Sequence, residues 1–139
     1  MLVDLVNQTV RSNNLGPKTL TGTSQGNAAD FANAHIDTAA LIDVGTLGAA
    51  MTSVDVQIEE SATTTGPWTV IPAIGGGNMA VHATTAGSNA VKGQRSHRYV
   101  RANAVTVTGQ TLSVPVNVEI IAEAKFAGTG GGYSRSPST

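Results

Sequence analysis

The sequence predicts an all-β protein, an antiparallel β-sandwich or its jelly-roll form, and three observations carry that expectation. Two segments alternate between apolar and polar residues: Val54, Val56 and Ile58 against Asp55, Gln57 and Glu59, and Val114, Val116, Val118 and Ile120 against Asn117 and Glu119. A period of two puts each apolar set on one face of a strand. Turn-forming Gly, Pro, Ser and Thr clusters recur between the apolar segments, and no stretch carries a convincing helical stripe. With 139 residues the chain fits one domain, which buries roughly two-thirds of the surface its unfolded form exposes.

Three regions are expected: an extended N-terminal arm over residues 1–17, a sandwich over 18–126, and a flexible Gly/Ser-rich tail over 127–139. "MLVDLVNQTV" sets Leu2, Leu5 and Val6 at helical spacing, but ten residues do not sustain a helix alone. Weaker strands are expected at Lys18–Thr23, Ala28–Ala32, Leu41–Val44, Ala80–Thr84 and Ala90–Lys92. The strand at Val54–Ile58 leads through "ESATTTGP" into a return strand, Trp68–Ile71, and so short a link requires antiparallel pairing. In that return strand Trp68 shares a face with Val70, which puts the indole on the core. A further strand runs from His97 to Val107, with Val100, Ala102, Ala104 and Thr106 on one face and Tyr99, Arg101, Asn103, Val105 and Val107 on the other. "TGQT" at Thr108–Thr111 supplies a turn. Pro115 cannot donate to a ladder, so it marks an edge or the start of the last strand. Ala73–Gly93 is a long, glycine-rich, partly irregular loop.

Composition narrows the functional classes. Charged residues are 12% of the chain, about half the usual ~25%, and Ala, Thr, Gly, Ser and Asn take their place. A neutral surface of this kind suits a protein packed against neighbours. The net charge of −1 gives no electrostatic footprint for nucleic acid. With no cysteine, disulfides and cysteine metal sites are excluded. No apolar run reaches the length of a membrane-spanning helix, and the N-terminus lacks the basic and continuous apolar regions of a secretory signal.

Chemistry-bearing patterns are sparse. His35, His82 and His97 are isolated from one another, with no metal-ligand spacing. Glu59 and Glu60 are adjacent, so on a strand they face opposite ways and form no acid/base pair. Asp30, Asp37 and Asp43 are too widely spaced for a calcium loop. The clusters "IGGGN" and "AGTGGGYS" lack the residues of a phosphate loop, and no GxSxG occurs. An enzyme is not expected, nor a metal or cofactor. In "RSHRYVR", Arg95, Arg98 and Arg101 alternate faces. Arg101 shares a face with Tyr99, a pairing of residue types enriched at interface centres, whereas Arg98 falls with Val100 and needs a carboxylate or an exposed edge.

A valine-alternating strand ending in "QIEESATTTGPWTVIP", a Gly-rich loop, "GQRSHRYVRANAVTVTG" and a final hydrophobic strand follow one another. This order resembles a family of small tailed-bacteriophage proteins encoded with the head genes, over roughly Leu20 to Ala122. Val54–Val70 and Lys92–Gly109 are its most telling pieces. The resemblance implies a capsid decoration, or cement, protein assembled in the host cytoplasm. It would sit on the outer surface of the virion as a homotrimer and hold major capsid protein subunits together, with no nucleic-acid or membrane partner. The candidate interface is Leu2, Val3, Leu5 and Val6 in the arm, Tyr99 and Arg101 on the sandwich, and Tyr133 and Arg135 in the tail. Removing residues 1–14 is expected to weaken shell binding and leave the sandwich folded. The alternatives are a glycan-binding head-fibre or tail adhesion module, which would stack sugars on Trp68 and Tyr99, and a head–tail connector or tail subunit.

Overall fold

The structure, a computed structural model, describes residues 9–109 and 113–125. Its strands are β1 (Thr9–Leu20), β2 (Ser24–Gln25), β3 (Ala29–Asp30), β4 (Ala34–Val44), β5 (Met51–Ser61), β6 (Thr69–Val70), β7 (Ala80–Ala83), β8 (Gly87–Gln94), β9 (Tyr99–Gly109) and β10 (Val114–Ala124). No helix is present among the described residues. One sheet has the order β1-β10-β4-β8, and the other β2-β9-β5-β6, with β3 also on β9 and β7 also on β5. All of these pairings are antiparallel.

β2 and β3 follow one another along the same side of β9, and β6 and β7 along the same side of β5. Each pair is one interrupted strand. Counted that way, the strand positions run 1-8-3-6 in one sheet and 2-7-4-5 in the other. That is the jelly-roll order of two interlocked Greek keys.

The core forms where the alternating faces meet. Val54, Val56 and Ile58 of β5 and Val100, Ala102 and Ala104 of β9 pack against Ala40, Ile42 and Val44 of β4 and Val114, Val116, Val118 and Ile120 of β10. Leu15, Leu20, Phe31, Ile71 and Met79 are the large side chains that close its ends. Each contributes about 1.5–3 kcal/mol by burial. Gly93 lies where a Cβ would run into the Pro72 carbonyl and the Met79 thioether, so a bare backbone is required at that crossing.

Several expectations move. The expected arm is strand from Thr9 onward: β1 pairs with β10 from Thr9↔Glu123 to Leu20↔Val114, and its Leu15 is buried. Residues 1–8, with Leu2, Val3, Leu5 and Val6, lie outside the described residues, as do 126–139 with the expected tail. Cutting at residue 14 would therefore remove half of β1. Pro115 marks the start of β10, which is an interior strand. β9 begins at Tyr99 rather than His97, and a register shift opposite Asp55–Val56 breaks its alternation after Ala104. The return strand after the hairpin shrinks to Thr69–Val70, and Ile71, not Val70, enters the core.

The sheets are also joined by side chains. Asn14 of β1 accepts the Ala102 amide of β9 at 2.6 Å and donates to the Asn27 carbonyl at 2.8 Å. It fills the ladder gap between β2 and β3. Asn14→Ala strands a donor and an acceptor there, and the expected loss is about 1–3 kcal/mol, read as a lowered denaturant midpoint at unchanged slope.

Candidate functional site

β5 and β9 lie side by side, with Glu59 opposite Arg101 and Gln57 opposite Asn103. All four point away from the core, and β2 brings Gln25 beside Asn103. Glu59 gathers them. Its Oε1 accepts Arg101 Nε at 2.8 Å, and its Oε2 accepts Gln57 Nε2 at 2.6 Å and Asn103 Nδ2 at 2.9 Å. Arg101 Nη1 donates to Gln25 Oε1 at 2.9 Å.

Trp68 covers this group. Its ring centroid is 4.3 Å from the Arg101 guanidinium carbon, a cation–π contact. Gly66, at φ 98°, folds the chain back so that the indole lies on the sheet; a Cβ at Gly66 would sit 2.8 Å from the indole Cδ1. Trp68 is thus half-buried on the outer face and does not cap the core. The phase shift that carries Ile71 inward carries Trp68 outward.

Under this cover Glu59 is only 5% exposed. Burial pushes its carboxyl up, but the hydrogen bonds from Asn103, Gln57 and Arg101 outweigh that and hold it below the ordinary glutamate value. A carboxylate engaged at both oxygens is a structural anion and not a free base.

Glu60 faces the other way, as its position on the strand requires. It accepts the Ser96 and His97 amides at 2.6 and 3.1 Å, with His97 Nδ1 at 3.4 Å. Next to it Arg95 is buried at 7% exposure. Arg95 donates to the carbonyls of His97 and Phe31, both at 2.8 Å, and to those of Ala34 and His35, with the Phe31 ring 5.7 Å away. Arg98 meets the carboxylate it was expected to need: Asp30 accepts its Nε at 2.9 Å and Nη2 at 2.7 Å. Its guanidinium also lies 5.1 Å from the Tyr99 ring.

The Arg98 hydrogen bond, helped by the Ala32 amide, lowers Asp30 to about 2. A depressed carboxyl adds stability above its unfolded value and loses it as pH falls through the folded one. Both partners are half-exposed, so salt screens the pair. A carboxyl-detected NMR titration is expected to place the Asp30 midpoint near 2, and Arg98→Gln to return it toward the ordinary aspartate value of 3.8.

Asp55 and His82, opposite each other on β5 and β7, make a surface pair at 2.5 Å. They line a shallow pocket of about 390 Å³ with Gln57, Ala80 and Val105. No cluster of three or more His, Asp or Glu side chains able to hold a metal exists among the described residues.

Of the candidate interface residues, the structure places Tyr99 and Arg101 on the outer face of the six-stranded sheet, but each is already engaged. Arg101, its side chain 15% exposed, belongs to the Glu59 network and is not a free anchor. Leu2, Val3, Leu5, Val6, Tyr133 and Arg135 lie outside the described residues. Sequence reasoning missed Glu59, Asn103, Gln25 and Gln57 as one group. The only signal for it was an apolar–polar strand whose polar face combined a carboxylate with amides.

No family model and no curated protein matches this sequence. Among solved structures, the chain is similar to the crystal structure of YomS, a protein derived from the SPBc2 prophage. The TM-score is 0.55 at 13% identity, over 84% of this chain and 93% of that one. The likeness is one of fold.

Proposed function

We propose that this protein is a head decoration protein of a tailed bacteriophage, bound outside the icosahedral shell, where it holds major capsid protein subunits together. The observation that carries this reading is the jelly-roll sandwich shared with a prophage-derived protein over most of both chains. The resemblance of Val54–Val70 and Lys92–Gly109 to phage head-gene products points the same way.

In this role the protein acts by contact, without a cofactor and without catalysis. The polar outer face of the six-stranded sheet is pre-ordered by the Glu59 network, so little side-chain entropy remains to be lost on docking. Residues 1–8 and the tail supply further contacts, and a homotrimer multiplies weak ones through effective concentration. A specific contact of the usual size buries about 1,200–2,000 Å² in total.

Copy number in purified particles, measured by quantitative mass spectrometry against the major capsid protein, tests the reading. Hundreds of copies in a simple ratio to the shell subunit are expected. A handful would move the protein to a vertex, connector or tail, and absence from particles would end the structural reading. Deleting residues 1–8 spares β1, so the sandwich should still fold while shell binding weakens. Unchanged binding would remove the arm from the interface.

One observation favours a second reading. Trp68 lies on the outer face over Arg101, which bonds the Gln25 side chain, an aromatic-and-polar arrangement compatible with a sugar ring. Glycan-array binding that is lost in Trp68→Ala would support an adhesion module, and an empty array would leave Trp68 as the cover of the Glu59 network.

A further inference from the structure

β8 ends its sheet, and its pairing with β4 runs without a register shift from Asp37↔Gln94 to Val44↔Gly87. Half of its outward edge is already used. The Lys92 carbonyl accepts the Ile74 amide at 2.9 Å, and the Gln94 amide donates to the Pro72 carbonyl at 3.4 Å. The even-numbered residues of β8 therefore turn their backbone groups away from β4. By the strand period, Ser88 and Ala90 do the same. Among the described residues no strand pairs with that edge between Gly87 and Val91.

The usual protections of an edge strand are missing here. β1, at the opposite end of the sheet, has two register shifts, Pro17 and Lys18. The strands at the edges of the other sheet are two to four residues long. Between Gly87 and Val91, β8 has no proline, no bulge and no charge. Such an edge is a template for another strand. Two exposed large hydrophobic residues lie beside it: Leu41, 44% exposed, opposite Ala90, and Ile74, 58% exposed, whose amide is bonded to the Lys92 carbonyl.

We infer that β8 is a docking strand for a second copy of this chain, paired antiparallel about a two-fold axis at Asn89. Each Ser88 then faces the partner's Ala90, and each such pair exchanges both backbone bonds. Self-pairing puts residues of one strand against themselves, where like charges would repel. The neutral stretch Gly87–Val91 meets that condition, whereas Lys92 is already covered by Ile74. The junction extends the four-stranded sheet through both copies, an isologous contact. It is independent of the shell reading. On a shell it would join neighbouring trimers across their local two-fold axes.

Sedimentation equilibrium of the full chain over a concentration series tests the inference. Wild type is expected at an even multiple of the 14.1 kDa chain mass. Ala90→Pro removes only an outward N–H, the position where an edge strand tolerates proline, and should halve the mass. Circular dichroism is the check on its fold. Asn89→Lys sets lysines against each other at the axis and should also halve the mass, whereas an equimolar mixture of Asn89→Lys and Asn89→Asp should restore it. A single-copy or odd-numbered wild type, a folded Ala90→Pro of unchanged mass, or a charge-swapped mixture that stays dissociated would each overturn the two-fold pairing.

Discussion

Glu59→Ala is expected to destabilise the protein by about 3–5 kcal/mol, because it leaves the mostly buried Arg101 charge with no counter-ion, only the neutral Gln25 oxygen still accepting from it, and removes the acceptor of the Asn103 amide. Urea unfolding monitored at Trp68 is the direct measurement, since the same substitution also loosens the guanidinium on which the indole rests. Glu59→Gln keeps an acceptor oxygen and the side-chain shape. It should cost less, about 1–2 kcal/mol. The pH dependence follows from the lowered carboxyl. Its stabilisation is complete above the unfolded-chain value near 4.5 and is lost as pH falls through the lower folded-state value. In Glu59→Gln that part of the acid sensitivity should disappear. Equal acid sensitivity in wild type and Glu59→Gln would show that the network does not hold the anion.

Arg95→Met is the second large effect, at about 3 kcal/mol or more. The methionine fills much of the same apolar volume, but the carbonyls of Ala34, His35 and His97 lose the guanidinium together, and that of Phe31 keeps only the Ala34 amide. Arg95→Lys should recover only part of the loss: the carbonyls of Phe31, Ala34 and His35 converge on the one atom Nη2, where a three-donor ammonium can serve them, but the His97 carbonyl on Nη1 loses its donor. Arg95 ties the start of β4 to the link between β8 and β9. Hydrogen exchange is therefore expected to rise first at Ala34 and Ser96, well before global unfolding. A variant of wild-type stability with unchanged exchange would mean that water replaces the guanidinium without loss.

The strands that could be read from the sequence are those whose two faces differ. Val54, Val56 and Ile58, and the valine row of β10, announce themselves by period alone. β1 was hidden because Gly16–Pro17 breaks its pattern and its register shifts twice against β10, so half of it read as an arm. Arg98 could be resolved to a need for a carboxylate, though nothing in the sequence named Asp30. Trp68 was misplaced for a specific reason. A strand of two residues has no period of its own, and the positive-φ turn at Gly66 set its phase. The Glu59 group was out of reach because adjacent glutamates look like solvent-facing charge until Asn103, Gln57 and Arg101 are brought together by the register of β5 on β9.

The pairing of β1 with β10 has a consequence in time. Thr9 meets Glu123 and Leu20 meets Val114, so β1 waits for a strand synthesised long after it. β10 lies between β1 and β4, so the four-stranded sheet closes only after β10 has left the ribosome. Pairing across such sequence distances is slow, on the order of milliseconds to seconds. Until it is complete, β8 has no finished sheet behind it, and a nascent copy has no docking edge to offer.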